Sequence, residues 1–328
     1  MILIAYGTRP EWIKVKRLIE IFKKNNTPLR VLFTGQQKDI GEFEYDLKIN
    51  IPENETNRLN TVVSRIITSD VFDSIEHVIV QGDTASSFAV ALAAFNKNIP
   101  ISHIEAGLRT FDSENPYPEE CYRQMISCIA NYHFCPTAND LSNLIKEGKA
   151  KQAWVVGNTV IDTLPPLNVT YDDVVLITMH RRENLDKIEK WFFEFEKLSC
   201  MFPNIDFVIP LHPNPVIQNK SKALKNVRVI EPLAHEQLLK LIASSKMIIT
   251  DSGGIQEEAA FYNKLVLVCR TVTERPASNQ IMIKEPSDLI PSFEKHIQNY
   301  QLNIECPFGD GLASERIYSL IMEIKNVV

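Results

Sequence analysis

The sequence predicts an α/β protein that contains two doubly wound parallel sheets. Short apolar runs rich in β-branched residues recur along the chain, amphipathic helical stretches separate them, and one proline-rich polar segment divides the series. Apolar runs that alternate with helices are typical of parallel strands buried on both faces. A single sheet of all these strands would be unusually wide, so we expect two domains.

The elements follow in chain order. The strand candidates are ILIAY, PLRVLFT, EHVIVQ, IPISHIE, YHFCP and AWVVG, then VVLITM, DFVIPL, VRVIEP, MIITD and LVLVCR. The helical patterns include EWIKVKRLIEIFKKN, SFAVALAAFNK, ECYRQMISCIA and LDKIEKWFFEFEKLSC. TLPPLNVTYDD reads as the linker. We therefore expect an N-terminal domain over 1–165, a C-terminal domain over 166–312, and a last helix over 313–328 that could pack back on the N-terminal domain.

Composition narrows the function classes. The 328 residues are 45% hydrophobic and 23% charged, and the formal net charge of −6 argues against a nucleic-acid or anionic-membrane binder. The six cysteines form no CxxC pair and lie in or beside apolar runs, which indicates buried free thiols in a reducing compartment. No run is long enough for a secretory signal or a membrane span, so we expect a cytoplasmic protein.

In open parallel sheets, ligands bind beyond the carboxyl ends of the strands, and two facing domains would place the site in the cleft between them. GTRPEWIK follows the first strand. Arg9 lies beside a helix N-terminus there, a good arrangement for a phosphate, and Lys14 follows one turn later. A solvated arginine beside a proline-started helix is the equally good structural reading.

Acidic residues follow the next two strands. Asp83 comes after EHVIVQ, where it or its neighbour could simply cap a helix. Glu105 ends IPISHIE, and Arg109 could neutralise it or Asp83 in a structural ion pair. Glu119 lies in the first turn of the helix in PYPEECYRQ, a position that acids favour for dipole reasons alone. Three converging carboxylates would push their pKa values apart and allow acid and base roles.

The second half repeats this arrangement with basic and glycine-rich motifs. His180 in ITMHRREN and His212 in PLHPNP each follow a strand, and no third residue has metal-ligand spacing, so we expect no metal. In TDSGGIQEEAA, the turn can approach an anion at a helix N-terminus, and Glu258 could accept hydrogen bonds from ribose hydroxyls. The residues of this glycine turn are Ser252, Gly253 and Gly254. Arg275, in TERP, follows the strand candidate LVLVCR.

These motifs resemble one family. GTRPEWIK, QGDT, HIEAGLRT, YPEE, GNTVID, HRREN, DSGGIQEEA, TERP and FGDG occur in order over nearly the whole chain. This set is similar to that of the non-hydrolysing UDP-N-acetylglucosamine 2-epimerases, which have a GT-B-like fold of two Rossmann-like domains with the active site in the interdomain cleft. The hydrolysing relatives differ at the GTRPE and HIEAG positions.

The resemblance implies a two-step reaction. UDP is eliminated across C1–C2 to give 2-acetamidoglucal, and is then added back with protonation on the other face of C2. No external cofactor is implied, because UDP is both leaving group and nucleophile. The resemblance also implies a homodimer and, with UDP-N-acetylmannosamine as product, a role in surface polysaccharide synthesis.

The resemblance assigns roles residue by residue. Asp83, Glu105 and Glu119 match the acid/base carboxylates, with the direction of each left open. Arg9, Lys14 and His180 match substrate and diphosphate contacts, and His180 is included with the catalytic residues. The remaining expected binding residues are the diphosphate turn, the ribose acceptor, a histidine near the substrate and the TERP arginine, namely Ser252, Gly253, Gly254, Glu258, His212 and Arg275.

Some positions depart from the family pattern. Gln37 stands where a histidine is usual, Ala277 replaces a glutamate, and the segment from 40 to 76 is short. His235 and Leu238 lie where aromatic residues are often near the uracil. A 2-epimerase for a modified sugar, such as a UDP-diacetamido-uronic acid, is therefore an alternative. A GT-B glycosyltransferase is a second alternative, although it would not need three clustered acids. A binding-only protein fits the acids least.

Overall fold

The computed structural model describes residues 1–38, 43–52, 57–211 and 214–327, which form two compact units. The first unit comprises Met1–Leu164 and the chain from Phe308 onward, and the second comprises Pro165–Pro307. The sequence predicts that 308–312 belong to the C-terminal domain, but in the structure they lie in the first unit. Phe308 is buried there, and its carbonyl oxygen accepts a hydrogen bond from Asn158 N at 2.7 Å.

The first unit contains a parallel sheet with the strand order β3-β2-β1-β4-β5-β6-β7 in its described part. The strands are β1 (Ile2–Tyr6), β2 (Leu29–Phe33), β3 (Leu47–Lys48), β4 (His77–Gln81), β5 (Ile101–Ile104), β6 (Tyr132–Cys135) and β7 (Ala153–Val155). The helices are α1 (Arg9–Lys24), α2 (Arg58–Ile67), α3 (Ala85–Asn96), α4 (Glu119–Ile129), α5 (Ala138–Lys146), the short 3-10 turn Ile161–Thr163 and α12 (Ala313–Val327).

The second unit contains a parallel sheet with the order β10-β9-β8-β11-β12-β13, again within the residues described. Its strands are β8 (Asp172–Thr178), β9 (Asp206–Pro210), β10 (Arg228–Ile230), β11 (Ser245–Thr250), β12 (Val266–Val268) and β13 (Gln280–Met282). Its helices are α6 (Arg182–Leu185), α7 (Ile188–Met201), α8 (Pro215–Lys220), α9 (His235–Ser244), α10 (Gly253–Phe261) and α11 (Leu289–His296), with 3-10 turns at Ser221–Ala223 and Pro286–Asp288.

Both sheets are covered on two faces, as the unbroken apolar strands predict. In β1, Ile4 and Tyr6 pack into the cluster that contains residues of α1 and α12, whereas Leu3 and Ala5 pack into the cluster that contains residues of α2 and α3. Full burial of such a side chain contributes roughly 1.5–3 kcal/mol relative to exposure. The predicted α/β class with two doubly wound sheets is confirmed.

Three local features differ from the sequence prediction. The helix predicted over LDKIEKWFFEFEKLSC begins at Ile188 instead of Leu185, because the backbone of Lys187 (φ −104°, ψ 5°) is not helical, and Leu185 instead ends the separate short helix α6. The strands β3 and β13 have two and three residues, too few for a periodic signal. The described residues contain no disulfide bond between any of the six cysteines, but Cys128 and Cys200 are exposed instead of buried.

The last helix packs within the first unit. The rings of Phe22 on α1 and Tyr318 on α12 lie 5.0 Å apart in an edge-on arrangement. Arg17 Nη2 also lies 2.8 Å from Glu315 Oε1. Among the described residues, no helix is both long and apolar enough to span a membrane.

Each sheet changes winding direction at a defined point. β1 lies between β2 and β4, and β8 lies between β9 and β11. The crevice beyond the carboxyl ends of such a strand pair is where this class of fold binds ligands. The motifs GTRPE and QGDT follow β1 and β4, and HRREN and DSGG follow β8 and β11.

Candidate active site

The turn after β1 is built around a buried carboxylate, Glu11. It accepts hydrogen bonds from Gly7 N at 2.9 Å, Thr8 Oγ1 at 2.8 Å, Thr84 Oγ1 at 2.6 Å and Ser87 Oγ at 2.8 Å. Burial raises the pKa of Glu11, and the hydrogen bonds oppose that shift. Glu11 thus joins the turn after β1 to the turn after β4. Its position in GTRPE was the available signal, but the sequence reasoning did not assign it a role.

In the same turn, the main chain of Gly7 lies unusually close to the side chain of Ser86. A Cβ on Gly7 would lie 2.1 Å from Ser86 Oγ, so only glycine fits there. Arg9 begins α1 with its side chain exposed, and its backbone N donates to Gln37 Oε1 at 3.0 Å. Gln37, the residue that replaces the usual histidine, therefore braces this turn.

Glu105 is held by donors from three other segments of the first unit. Lys14 Nζ lies 2.6 Å from Glu105 Oε1, Asn158 Nδ2 donates to the same oxygen at 3.3 Å, and Gln81 Nε2 donates to Oε2. The Glu105 side chain is 4% exposed, and its backbone has φ +66°, an uncommon conformation for a residue with a side chain. Such strain persists where surrounding contacts enforce it. Asn158, in GNTVID, was not predicted as a site residue.

Asp83 belongs to a second charged group in the same unit. Thr84 caps α3, so Asp83 is not needed as the cap. Arg123 Nε donates to Asp83 Oδ2 at 2.7 Å, and Arg123 Nη1 donates to Glu120 Oε2 at 2.7 Å. Glu120 is fully buried, whereas the Asp83 side chain is 23% exposed. Asp83 is therefore a partly accessible carboxylate that the buried Arg123–Glu120 pair holds in place.

The two carboxylates follow neighbouring strands. β4 and β5 pair in parallel, and a Cβ built on Gly82 would lie 3.4 Å from Glu105 Oε2. Glu119 is the first residue of α4 and is half-buried.

The expected pairing of Arg109 with these acids is wrong. Its Nε donates to Glu147 Oε1 at 2.6 Å, and its Nη2 donates to Ser127 Oγ at 2.9 Å. Arg109 is buried and anchors the segment after β5 to the end of α5. The cation beside Glu105 is Lys14.

In the second unit, Asp251 organises the turn after β8. This buried carboxylate accepts hydrogen bonds from His180 N at 3.1 Å, Arg181 N at 2.9 Å and Asn184 Nδ2 at 3.0 Å. His180 Nδ1 lies 3.6 Å from Asp251 Oδ1, and the His180 side chain is 34% exposed. Asp251 directly precedes SGG but was not recognised from the sequence as the link between the two turns.

The glycine turn begins α10. Ser252 is the residue before the helix, and its N donates to Thr250 Oγ1 at 2.9 Å. A Cβ on Gly253 would lie 2.8 Å from Arg275 Nη1, whereas a Cβ on Gly254 would meet no atom of the described residues within 4 Å. Gly254 therefore faces open space beside the free backbone N–H groups of a helix N-terminus, a geometry suited to an anion.

Arg275 lies on the other side of this turn and is largely buried. Its Nε donates to Glu257 Oε1 at 2.8 Å, and its Nη1 donates to Glu274. Arg270 Nη1 also donates to Glu274 Oε2 at 2.8 Å. The structure thus places Arg275 in a buried ion network behind Gly253.

A cavity of about 330 Å³ lies beside the glycine turn, within the second unit. Its walls include Leu233 and Leu238, and its polar groups include Glu258 and His235, whose Nε2 lies 2.7 Å from Glu258 Oε1. His180, Ser252 and Gly254 also line it. Apolar walls with a few polar groups and a helix N-terminus are typical of a small-molecule site. His212, also expected here, lies outside the described residues.

The two units offer different chemistry. The first presents carboxylates beside cations, a set suited to moving protons and stabilising charge. The second presents a helix N-terminus, a carboxylate that can accept hydrogen bonds from ligand hydroxyls, and apolar walls. This set is suited to holding a phosphorylated ligand with an apolar portion.

Comparison with known proteins identifies the family. The family described as UDP-N-acetylglucosamine 2-epimerase matches residues 20–322. The chain is 36% identical to the UDP-N-acetylglucosamine 2-epimerase of Campylobacter jejuni, with 99% of this chain and 98% of the relative covered. It is also 36% identical to the enzyme of that name from Neisseria meningitidis, with coverage of 98% and 99%.

Solved structures agree with this match. The Neisseria meningitidis UDP-GlcNAc 2-epimerase bound to UDP-GlcNAc has a TM-score of 0.87 and 35% identity, covering 98% of this chain and 99% of that one. The S. aureus MnaA–UDP structure has a TM-score of 0.89 and 32% identity, covering 100% and 97%. The GT-B-like fold class and the family resemblance predicted from the sequence are confirmed. The chain is therefore an enzyme of the UDP-N-acetylglucosamine 2-epimerase family.

Proposed function

We propose that this chain interconverts UDP-N-acetylglucosamine and UDP-N-acetylmannosamine by eliminating UDP to 2-acetamidoglucal and adding it back. Relatives with those ligands support the substrate class, since the Neisseria meningitidis structure contains UDP-GlcNAc and a Methanocaldococcus jannaschii structure contains UDP-GlcNAc and UDP. The observation that carries the proposal is the cluster after β4 and β5, where Asp83 and Glu105 lie on adjacent turns and each has a cationic partner.

The first step requires a base and a stabilised leaving group. A carboxylate takes the C2 proton, the C2–H electrons form the C1=C2 bond, and the C1–O bond breaks so that UDP leaves with its electron pair. The C2 proton is weakly acidic, so cations and N–H groups must stabilise the departing diphosphate. We assign the diphosphate to the turn of Ser252, Gly253 and Gly254, with Arg9 and His180 as further contacts.

The second step reverses this chemistry on the other face of C2. A protonated carboxyl gives its proton to C2 while a β-phosphate oxygen of UDP bonds to C1. Glu105 receives hydrogen bonds from Lys14, Gln81 and Asn158, so within this proposal it is the most firmly held of the three acids. Asp83 and Glu119 are more accessible and better suited to exchange the proton with C2.

The remaining assignments belong to the nucleotide. Glu258 accepts from the ribose, and the apolar walls of the cavity, including Leu233 and Leu238, contact the base. His212 is proposed as a neighbour of the substrate, and Arg275 as the support of the glycine turn. We further propose that the enzyme is a cytoplasmic homodimer and that its product enters surface polysaccharide synthesis. No external cofactor enters this proposal.

A direct test is incubation with UDP-N-acetylglucosamine in deuterated water, followed by NMR of C2. We expect UDP-N-acetylmannosamine to appear with deuterium at C2 in both sugars. If C2 exchanges and epimerises only with a UDP-diacetamido-uronic acid, the substrate is the modified sugar. Turnover only after an acceptor is added would instead indicate a glycosyltransferase. This chain is similar to the structure of the wall teichoic acid polymerase TagF with a TM-score of 0.59 and 12% identity, which shows a shared fold alone.

A further inference from the structure

The cavity of the second unit contains a carboxylate that is only half satisfied. The Glu258 side chain is 8% exposed, and its Oε1 lies 2.7 Å from His235 Nε2. Its other oxygen, Oε2, is buried and has no hydrogen-bond partner among the described residues. A buried carboxylate oxygen without a donor is costly, so a ligand group that donates to it gains more than an ordinary hydrogen bond.

The pair is fixed by two helices of the same unit. His235 is the first residue of α9, and Glu258 lies on α10 one turn beyond the open glycine. An ionised carboxylate can only accept, so the proton in this contact is on His235 Nε2. Holding Oε1 in this way orients the whole carboxylate and leaves Oε2 as the oxygen that remains for a ligand.

The surroundings define the ligand group. Both residues line the cavity of about 330 Å³ with Leu233, Leu238 and Gly254. An acceptor between apolar walls and an anion-binding turn suits a hydroxyl of the sugar that joins a base to a diphosphate. A site built to accept from such a hydroxyl rejects analogues that lack it.

We propose that His235 is a positioning residue that orients Glu258 toward a ribose hydroxyl and so sets the preference of this chain for ribonucleotides over deoxyribonucleotides. The inference rests on the proposed function, because it takes the ligand of this cavity to be UDP. Phenylalanine at this position would keep a ring against the cavity but would leave Glu258 Oε1 without its donor. Glutamine would keep an N–H donor.

The test is calorimetric titration of the full chain with UDP, 2′-deoxy-UDP and 3′-deoxy-UDP. We expect the wild type to bind UDP about ten- to hundredfold more tightly than at least one of the deoxy analogues. His235→Phe should reduce this ratio to about threefold or less, and His235→Gln should retain most of it. A role in folding alone would weaken all three ligands equally and leave the ratio unchanged. The His235 side chain is 31% exposed, so both variants should fold.

The outcomes separate this inference from the proposed function. An unchanged ratio in His235→Phe, or a wild type that does not distinguish the three ligands, overturns the role of His235 even if the enzyme epimerises its substrate. If the affinity ratios are as expected but the protein does not epimerise any UDP-sugar, the positioning role of His235 is supported and the proposed reaction is contradicted. Absence of UDP binding would contradict both.

Discussion

At the scale of single residues, the carboxylates of the first unit differ in how firmly they are held. Glu105 is nearly buried, has a left-handed backbone and accepts from a lysine and two amides. Asp83 has one guanidinium partner and is more exposed. Glu119 is half-buried at the start of α4. We infer that all three are needed for turnover but that they contribute in different ways.

The first prediction is therefore that Asp83→Asn, Glu105→Gln and Glu119→Gln each reduce kcat by about 10²–10⁴-fold, as expected for loss of a positioned acid or base. The Kd for UDP should change by less than about threefold, because UDP has no C2 proton to move. Steady-state turnover and calorimetric UDP binding measure the two effects. Glu114→Gln, in the exposed segment before α4, is the matched control. Wild-type turnover in any of the three variants would exclude that residue as an acid or base of the reaction.

Several of these residues were predictable because they follow strands, and others were not. Glu105 ends an apolar run and Asp83 closely follows one, which marks both residues in the sequence. The partners of buried charges carry no such signal. Arg109 pairs with Glu147, 38 residues away, and the order of packed elements decided this pairing. The closeness of Arg109 to Glu105 in the sequence therefore did not reveal which acid it pairs with.

At the scale of elements, strand–turn–helix units place the functional groups. The predicted strands all appear, because buried parallel strands need continuous apolar runs. The sequence did not predict the buried acids that join one turn to another. Glu11 and Asp251 are acids whose role depends on a second turn folded beside their own. Each is buried, and each holds backbone N–H groups that a sequence pattern does not reveal.

The second prediction concerns the turn before α10. Gly254→Ala should weaken UDP binding by about tenfold or more, because the added methyl group would occupy the open space beside the N–H groups that we assign to the diphosphate. The free energy of unfolding should change by less than about 1 kcal/mol, since that methyl group meets no described atom. Calorimetry and urea unfolding measure the two effects.

The comparison variant is Gly253→Ala, whose methyl group would contact Arg275 Nη1. This substitution should reduce stability as well as binding. If Gly254→Ala bound UDP like the wild type, the diphosphate would not lie against this turn.

At the scale of the whole molecule, the two units differ in whether their described histidines are buried. His77, His103 and His133 are buried in the first unit, and burial lowers the pKa of each to about 4. No histidine in the described part of the second unit is buried. Between pH 6.5 and 4, the unfolded chain binds protons at these positions that the folded first unit does not bind. The stability of the first unit should therefore fall as the pH falls through this window.

The third prediction is that the first unit loses more stability than the second between pH 7 and pH 5. The loss from each histidine is on the order of 1–2 kcal/mol at pH 5. Urea unfolding followed by tryptophan fluorescence can separate the units. Trp191→Phe leaves the two tryptophans of the first unit, and the Trp12→Phe/Trp154→Phe double variant leaves the one in the second. Equal shifts of the two transitions would show that these histidines do not determine acid sensitivity.

The most direct measurement of the proposed reaction follows the oxygen between C1 and the β-phosphorus of UDP-N-acetylglucosamine. If UDP leaves and returns, ¹⁸O placed in that bridge must scramble into the non-bridging β-phosphate positions of recovered substrate, as ³¹P NMR would show. Elimination and re-addition predict scrambling together with formation of UDP-N-acetylmannosamine. Epimerisation with the label fixed in the bridge would contradict cleavage of the C1–O bond, and no epimer at all would contradict the proposed activity.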